Sequence, residues 1–327
     1  MAVISQAVQR KEKTKKTFYI FFLIIASVSL VYYSFFKTST IEVSSSPFLS
    51  WEPGKLLVAF LDVGQADATV IVTPEKKIIL IDTGQGGSYS QNNSGLRIND
   101  YLSLFNKKKI DKIILTHPHS DHIGGFKTIS EKFEIGKVYD SGFKSSSTQY
   151  ANILKIIRDK NIDYSVVSRG DIIQLDNSLN AEVIFTQNEI PDNINANNAS
   201  VVLRMKFGGV SFLLTGDIEE EVEKILLAGP EKLKTDILKV PHHGGKTSST
   251  QEFLSAVMPK FAVVMCGRNN KHNHPHQKVL DRYKMMKIKL LRTDINGNVE
   301  FITDGNKLSL KMQSPENPEQ QYKFFKF

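Results

Sequence analysis

Between Thr116 and Gly125 the chain reads Thr-His-Pro-His-Ser-Asp-His-Ile-Gly-Gly, directly after the apolar run Ile110–Leu115. A short apolar run ending in turn residues is a buried strand, and a helix is predicted to begin near Ser120 or Asp121. Three imidazoles and a carboxylate therefore converge on one strand-to-helix turn. Buried without a cation, they would leave several polar groups unpaired. Neutral imidazole and carboxylate are ligands that suit zinc and similar divalent ions. His117 and His119 alternate around Pro118 and can point to one side, while Asp121 and His122 reach a second ion from the start of the helix. Gly124 and Gly125 let that helix approach a neighbouring backbone closely.

Such a cluster needs a frame. With 327 residues and 41% hydrophobic content, the chain can bury one large core or two modest ones. Turn residues bound strands expected at Leu56–Val63, Ala68–Val72, Ile78–Ile81, Tyr164–Val167, Ala181–Phe185, Ser200–Phe207, Val210–Leu214, Asp236–Val240 and Phe261–Met265. Helical spacing is expected over Leu96–Asn106, Tyr150–Lys160, Glu219–Leu227, Gln251–Val257 and Gln277–Met286. Strands, a strand–helix–strand unit and then further strands with helices predict an α/β protein of two packed sheets flanked by helices. The single cysteine, Cys266, excludes an internal disulfide and a cysteine-rich zinc module, and it does not discriminate between compartments.

The ends differ from this frame. Residues 1–17 carry five basic side chains against Glu12, so half of the net charge of +8 sits there and the folded part is only mildly basic. From Phe18 to Phe36 no residue is charged, a run close to the roughly 20 residues that cross a bilayer. The basic cluster before it predicts a single-pass anchor at 18–36 in the inner or plasma membrane, with 1–17 in the cytoplasm and the rest outside. A cleaved signal peptide shares the layout, but its apolar region is shorter, and Ser34-Phe35-Phe36-Lys37 is a poor cleavage site. A core helix would not be apolar on every face. Residues 37–54 read as a linker, 55–312 as the folded domain and 313–327 as a polar tail.

The motif His117-Pro118-His119-Ser120-Asp121-His122 resembles the HxHxDH signature of the metallo-β-lactamase superfamily. Six flanking blocks narrow the likeness: Asp62–Asp67, Ile81–Gly84, Asn198–Ser200, Leu214–Asp217, Lys239–Gly244 and His274–His276. In this order they resemble the hydrolase domain of ComEC-type competence proteins, over about residues 55–310. The resemblance implies a four-layer αββα sandwich and a two-metal site holding Zn2+ or Mn2+. Its implied ligands are His117, His119, Asp121, His122, a bridging Asp217 and one histidine of the 242–243 pair. His243, beside Gly244, is the favoured one, which leaves His242 with Asp121 and His274 as catalytic groups. Asp82 is expected to fix a ligand histidine. One departure matters: no histidine lies between His122 and Asp217, where many members place a ligand, and Asn197 or Asn198 stands there instead. The ion therefore stays open between zinc and manganese.

The reaction expected is hydrolysis by a metal-activated hydroxide. The resemblance points to a phosphodiesterase or nuclease acting on an anionic substrate, DNA, outside the cytoplasm beside a separate membrane channel protein. Rival readings are another ester (a lactone, a phosphorylcholine ester or an envelope component) and a membrane-anchored binding domain without catalysis. Arg268, Lys271 and Lys278 flank the His-Pro-His loop and could meet phosphates.

Overall fold

The computed structural model describes residues 51–87, 93–187 and 195–313, with the backbone of 325–326. The predicted membrane segment lies outside these residues; among the described ones no helix is long and apolar enough to cross a membrane. In chain order the strands are β1 (Leu56–Phe60), β2 (Thr69–Val72), β3 (Ile78–Ile81), β4 (Lys109–Leu115), β5 (Glu134–Asp140), β6 (Asp163–Val166), β7 (Ile172–Gln174), β8 (Asn180–Phe185), β9 (Val202–Phe207), β10 (Val210–Leu214), β11 (Ile237–Lys239), β12 (Phe261–Val264), β13 (Lys289–Arg292), β14 (Val299–Thr303), β15 (Leu308–Met312) and β16 (Phe325–Lys326). They form a nine-stranded sheet in the order β16-β15-β14-β1-β2-β3-β4-β5-β6, and a seven-stranded sheet in the order β13-β12-β11-β10-β9-β8-β7.

Side-chain alternation makes two cores from one strand. In β1, Leu56, Val58 and Phe60 face the core between the sheets. Leu57 and Ala59 face the opposite way and pack with Ile98, Phe126 and Ile153 of the helices Ser94–Ser103, Phe126–Lys132 and Thr148–Asp159. The second sheet repeats this arrangement: Phe212, Ile237 and Val263 point inward. Leu213, Leu238 and Val264 meet Val222, Phe253 and Tyr283 of the helices Glu220–Ala228, Gln251–Val257 and Gln277–Met285. The result is the helix–sheet–sheet–helix sandwich expected from the sequence. Because both faces are covered, these strands read as unbroken apolar runs, which is why they were legible.

Some strands without such runs escaped the sequence reading, although β4 (Lys-Ile-Asp-Lys-Ile-Ile-Leu) and β6 (Asp-Tyr-Ser-Val) were expected. In β5 (Glu-Ile-Gly-Lys-Val-Tyr-Asp) Glu134 is exposed and Lys137 is half-buried, and β13 carries an exposed Lys289. After β13 the chain returns to the first sheet, where β14 pairs antiparallel with β1 (Phe60 opposite Val299). No local pattern announces that return.

Strands β3, β4 and β5 run parallel, as do β10, β11, β12 and β13. The carboxyl ends of β3, β4, β10, β11 and β12 deliver the chemistry-bearing segments, the usual placement of a site in an α/β sheet. A tight contact sets the histidine turn: a Cβ on Gly125 would lie 2.1 Å from the Thr83 carbonyl oxygen, so only glycine brings the helix start so near the end of β3.

Candidate metal centre

The strand ends bring His117, His119, Asp121, His122, Asp217, His242, His243 and His274 into one place, joined by Asp67, Asp82 and Lys239. The cleft above them has a volume of about 1030 Å³. Asp82, just past β3, accepts from the Thr116 amide (2.8 Å) and hydroxyl (2.7 Å) and lies 2.7 Å from His122 Nδ1. A hydrogen bond at Nδ1 turns the Nε2 lone pair of an imidazole outward as a ligand. The same logic operates at His243, whose Nδ1 is 2.8 Å from the Met265 carbonyl oxygen.

Both Nε2 atoms are buried without a hydrogen-bond partner. Both face one oxygen: Asp217 Oδ2 lies 3.2 Å from His122 Nε2 and 3.3 Å from His243 Nε2. Asp121 Oδ2 lies 3.3 Å from His243 Nε2. At the other side His117 Nε2 and His119 Nδ1 converge to 3.1 Å. His117, His122 and Asp217 form one set of atoms close enough to share an ion, and Asp121, His122 and His243 form another. Orphaned buried nitrogens facing a shared carboxylate are what a site for divalent cations requires. The donor set fits.

The electrostatics point the same way. Burial alone would push the His122 imidazole down, but the Asp217 and Asp82 carboxylates hold it well above its ordinary value. His243 is likewise raised, by Asp217 and Asp67 against burial. Burial favours a neutral Asp217, yet His243, His122 and Lys239 keep it ionised far below the usual carboxylate range. The carboxylates that hold a proton on each imidazole would hold a divalent cation in its place.

His242 and His243 sit on a turn after β11 with φ of +51° at both, followed by Gly244 at +78°. Left-handed backbone at two successive histidines is sparsely populated and persists only where packing imposes it. A Cβ on Gly244 would lie 2.5 Å from Pro275 Cβ, so this glycine lets the 274–276 loop close over the turn. The turn separates the pair: His243 points inward, while His242 stays in the cleft 3.2 Å from Glu219 Oε1. His274 lies over both, with ring centroids 5.4 Å from His242 and 6.0 Å from His243.

In the stretch without a histidine, Asn198 is committed elsewhere: its Oδ1 accepts from the Glu219 amide and its Nδ2 donates to Glu221. Asn197 lines the cleft and has a buried, unpartnered Oδ1. Ser200 Oγ lies 3.3 Å from His117 Nδ1 and accepts from the Asp217 amide. Arg268 and Lys271 line the cleft, and Lys278 does not belong to that lining. Glu219 and Arg97 were not singled out in the sequence, and Lys239 and Ser200 stood there only within the motif blocks, with no role of their own. Lys239 was hidden because a lysine inside an apolar strand reads as a surface position, and here it is 3% exposed.

Fold and site together define a protein of the metallo-β-lactamase type, and the chain belongs to that family: the metallo-beta-lactamase superfamily profile matches residues 61–268. Among curated proteins it is similar to ComE operon protein 3 of Bacillus subtilis, with 35% identity over 75% of this chain and 32% of that one. It is also similar to Recombination protein 2 of Haemophilus influenzae, with 32% identity over 73% of this chain and 28% of that one. The chain thus spans about a third of the length of these relatives. Among solved structures, the metallo-beta-lactamase fold protein YhfI from Bacillus subtilis matches with a TM-score of 0.47 and 9% identity, over 72% of this chain and 96% of that one.

Proposed function

We propose that this protein is a metal-dependent phosphodiesterase that hydrolyses DNA, held outside the cytoplasm by the apolar segment 18–36. The observation that carries the hydrolytic reading is the single Asp217 oxygen facing His122 Nε2 at 3.2 Å and His243 Nε2 at 3.3 Å. His117, His119 and Asp217 would hold one ion, and Asp121, His122, His243 and Asp217 the other. Bound there, divalent cations supply the polarisation of a phosphoryl oxygen and an acidified water.

The chain's own residues do the rest. Asp82 and the Met265 carbonyl fix two imidazoles so that no ligand reorganises during turnover. His242, backed by Glu219, stands where a leaving oxygen can take a proton. An anionic polymer is supported by the open cleft with Arg97, Arg268 and Lys271 in its lining, and by the likeness to Competence protein ComA of Neisseria gonorrhoeae. The extracytoplasmic placement is supported by the basic cluster ahead of the apolar run.

The test is metal analysis of purified protein, followed by hydrolysis of bis(p-nitrophenyl) phosphate and of single- and double-stranded DNA with Mn2+ or Zn2+. Turnover of both phosphodiester probes is expected. Protein that binds no metal overturns the reading, and metal-bound protein that cleaves only carboxyl esters moves the substrate to that class.

A further inference from the structure

The site contains a cation of its own. Lys239 is the last residue of β11, and its side chain enters from below the cleft. Its Nζ lies 2.5 Å from Asp67 Oδ2 and 3.1 Å from Asp217 Oδ1, and it donates to the Gly216 carbonyl at 2.6 Å. All three ammonium hydrogens are thereby used, and the side chain is 4% exposed. Asp217 is divided between two tasks: Oδ1 is taken by the ammonium, while Oδ2 faces the imidazoles of His122 and His243.

Two other groupings of this cluster could also hold an ion, Asp67 with Asp217 and His243, and Asp67 with Asp82 and His122. Space and charge decide between the sides. Behind Asp217, the cavity bordered by Asp67, Asp82, Thr116 and Lys239 has a volume of about 10 Å³, enough for one water at most. In front of it lies the cleft of about 1030 Å³. Asp67 Oδ2 already holds the lysine, and Oδ1 lies 3.2 Å from His243 Nδ1 with no room behind it for a hydrated ion.

We propose that Lys239 is the positioning residue of the metal centre, a built-in cation that occupies the rear of the cluster. It holds Asp217 by Oδ1, which leaves Oδ2 turned to His122 Nε2 and His243 Nε2 on the cleft side, where divalent ions would be held. This rests on the two-metal reading above and adds to it the reason why only one Asp217 oxygen faces the ligand histidines.

The experiment uses the full chain and Mn2+ as probe. Wild-type protein is expected to bind two Mn2+ with a spin-coupled electron paramagnetic resonance signal. Lys239→Met and Lys239→Gln are expected to bind one Mn2+ tightly, giving an uncoupled six-line signal, with at least tenfold weaker binding of the second. A folded variant that keeps two coupled ions at wild-type affinity overturns the role of Lys239. Wild-type protein that binds neither Mn2+ nor Zn2+ overturns the metal centre itself, which separates the two failures.

A measurement on the unaltered protein covers the case in which the variants do not fold. With 15N-labelled lysine, one slowly exchanging Nζ signal is expected to persist in the ammonium range throughout a Zn2+ titration to two equivalents. Loss of that signal as zinc binds would mean that the ion displaces Lys239, and the proposal fails.

Discussion

The inner wall of the cleft and its outer lip use the same residue types to opposite effect. On the wall, His122 and His243 are buried among Asp67, Asp82, Asp121 and Asp217, and each has its Nδ1 fixed by an oxygen acceptor. On the lip, His274 has chiefly imidazoles around it, and its buried Nδ1 has no hydrogen-bond partner. The carboxylates raise the wall imidazoles well above their ordinary value. Burial first, and then His243, His242, His276 and His272, lower His274 to about 3. A histidine's charge is thus set by its neighbours. At neutral pH His274 is an uncharged ring, fit to stack or to exchange one hydrogen bond with a substrate but not to form an ion pair with phosphate.

The largest effect is expected where the wall is broken at its centre. Asp217→Ala should lower phosphodiester turnover about 10³-fold or more, since it removes the group shared by both ligand sets. Losing this partner of the buried Lys239 should cost about 3–5 kcal/mol, visible as a lowered unfolding midpoint. His119→Ala, at an exposed position, should lose turnover with the midpoint nearly unchanged. Equal midpoints for the two variants would contradict the paired role of Lys239.

A smaller break is Asp82→Asn, which leaves His122 in place but weakens the acceptor at its Nδ1. Metal affinity should fall about 10–100-fold, read by competition with a chromophoric chelator. The pH dependence sharpens the contrast without mutation. The folded-state values of His122 and His243 lie above 6.5, so at neutral pH an incoming ion must displace protons held by the carboxylates. Apparent metal affinity should therefore keep rising with pH beyond 6.5 and fall away on acidification. A profile flat from pH 6.5 upward would show that the wall imidazoles are not raised.

The smallest effects belong to the lip. Lys271→Ala should raise KM for single-stranded DNA and reduce the salt slope by about 0.7, with kcat on bis(p-nitrophenyl) phosphate unchanged. An unchanged slope would place the strand elsewhere.

The sequence alone determined the elements that local physics controls. Strands covered on both faces are unbroken apolar runs, so β1, β3, β10 and β12 could be read directly, as could amphipathic helices such as Gln251–Val257. The segment Thr116–Gly125 announced a candidate metal site because its candidate ligands are neighbours in the chain. Strand β5, whose apolar residues are split by Gly136 and Lys137, was not legible, and neither was the return of β14 to β1, since pairing across the whole chain has no local signature. Tertiary structure alone decided which of two adjacent histidines turns inward, because that depends on left-handed backbone packed under Pro275. It alone revealed Lys239, whose meaning comes from Asp67, 172 positions earlier in the chain. A lysine in a strand is unremarkable until the fold closes two carboxylates around it and excludes water, and only then does its charge become part of the site.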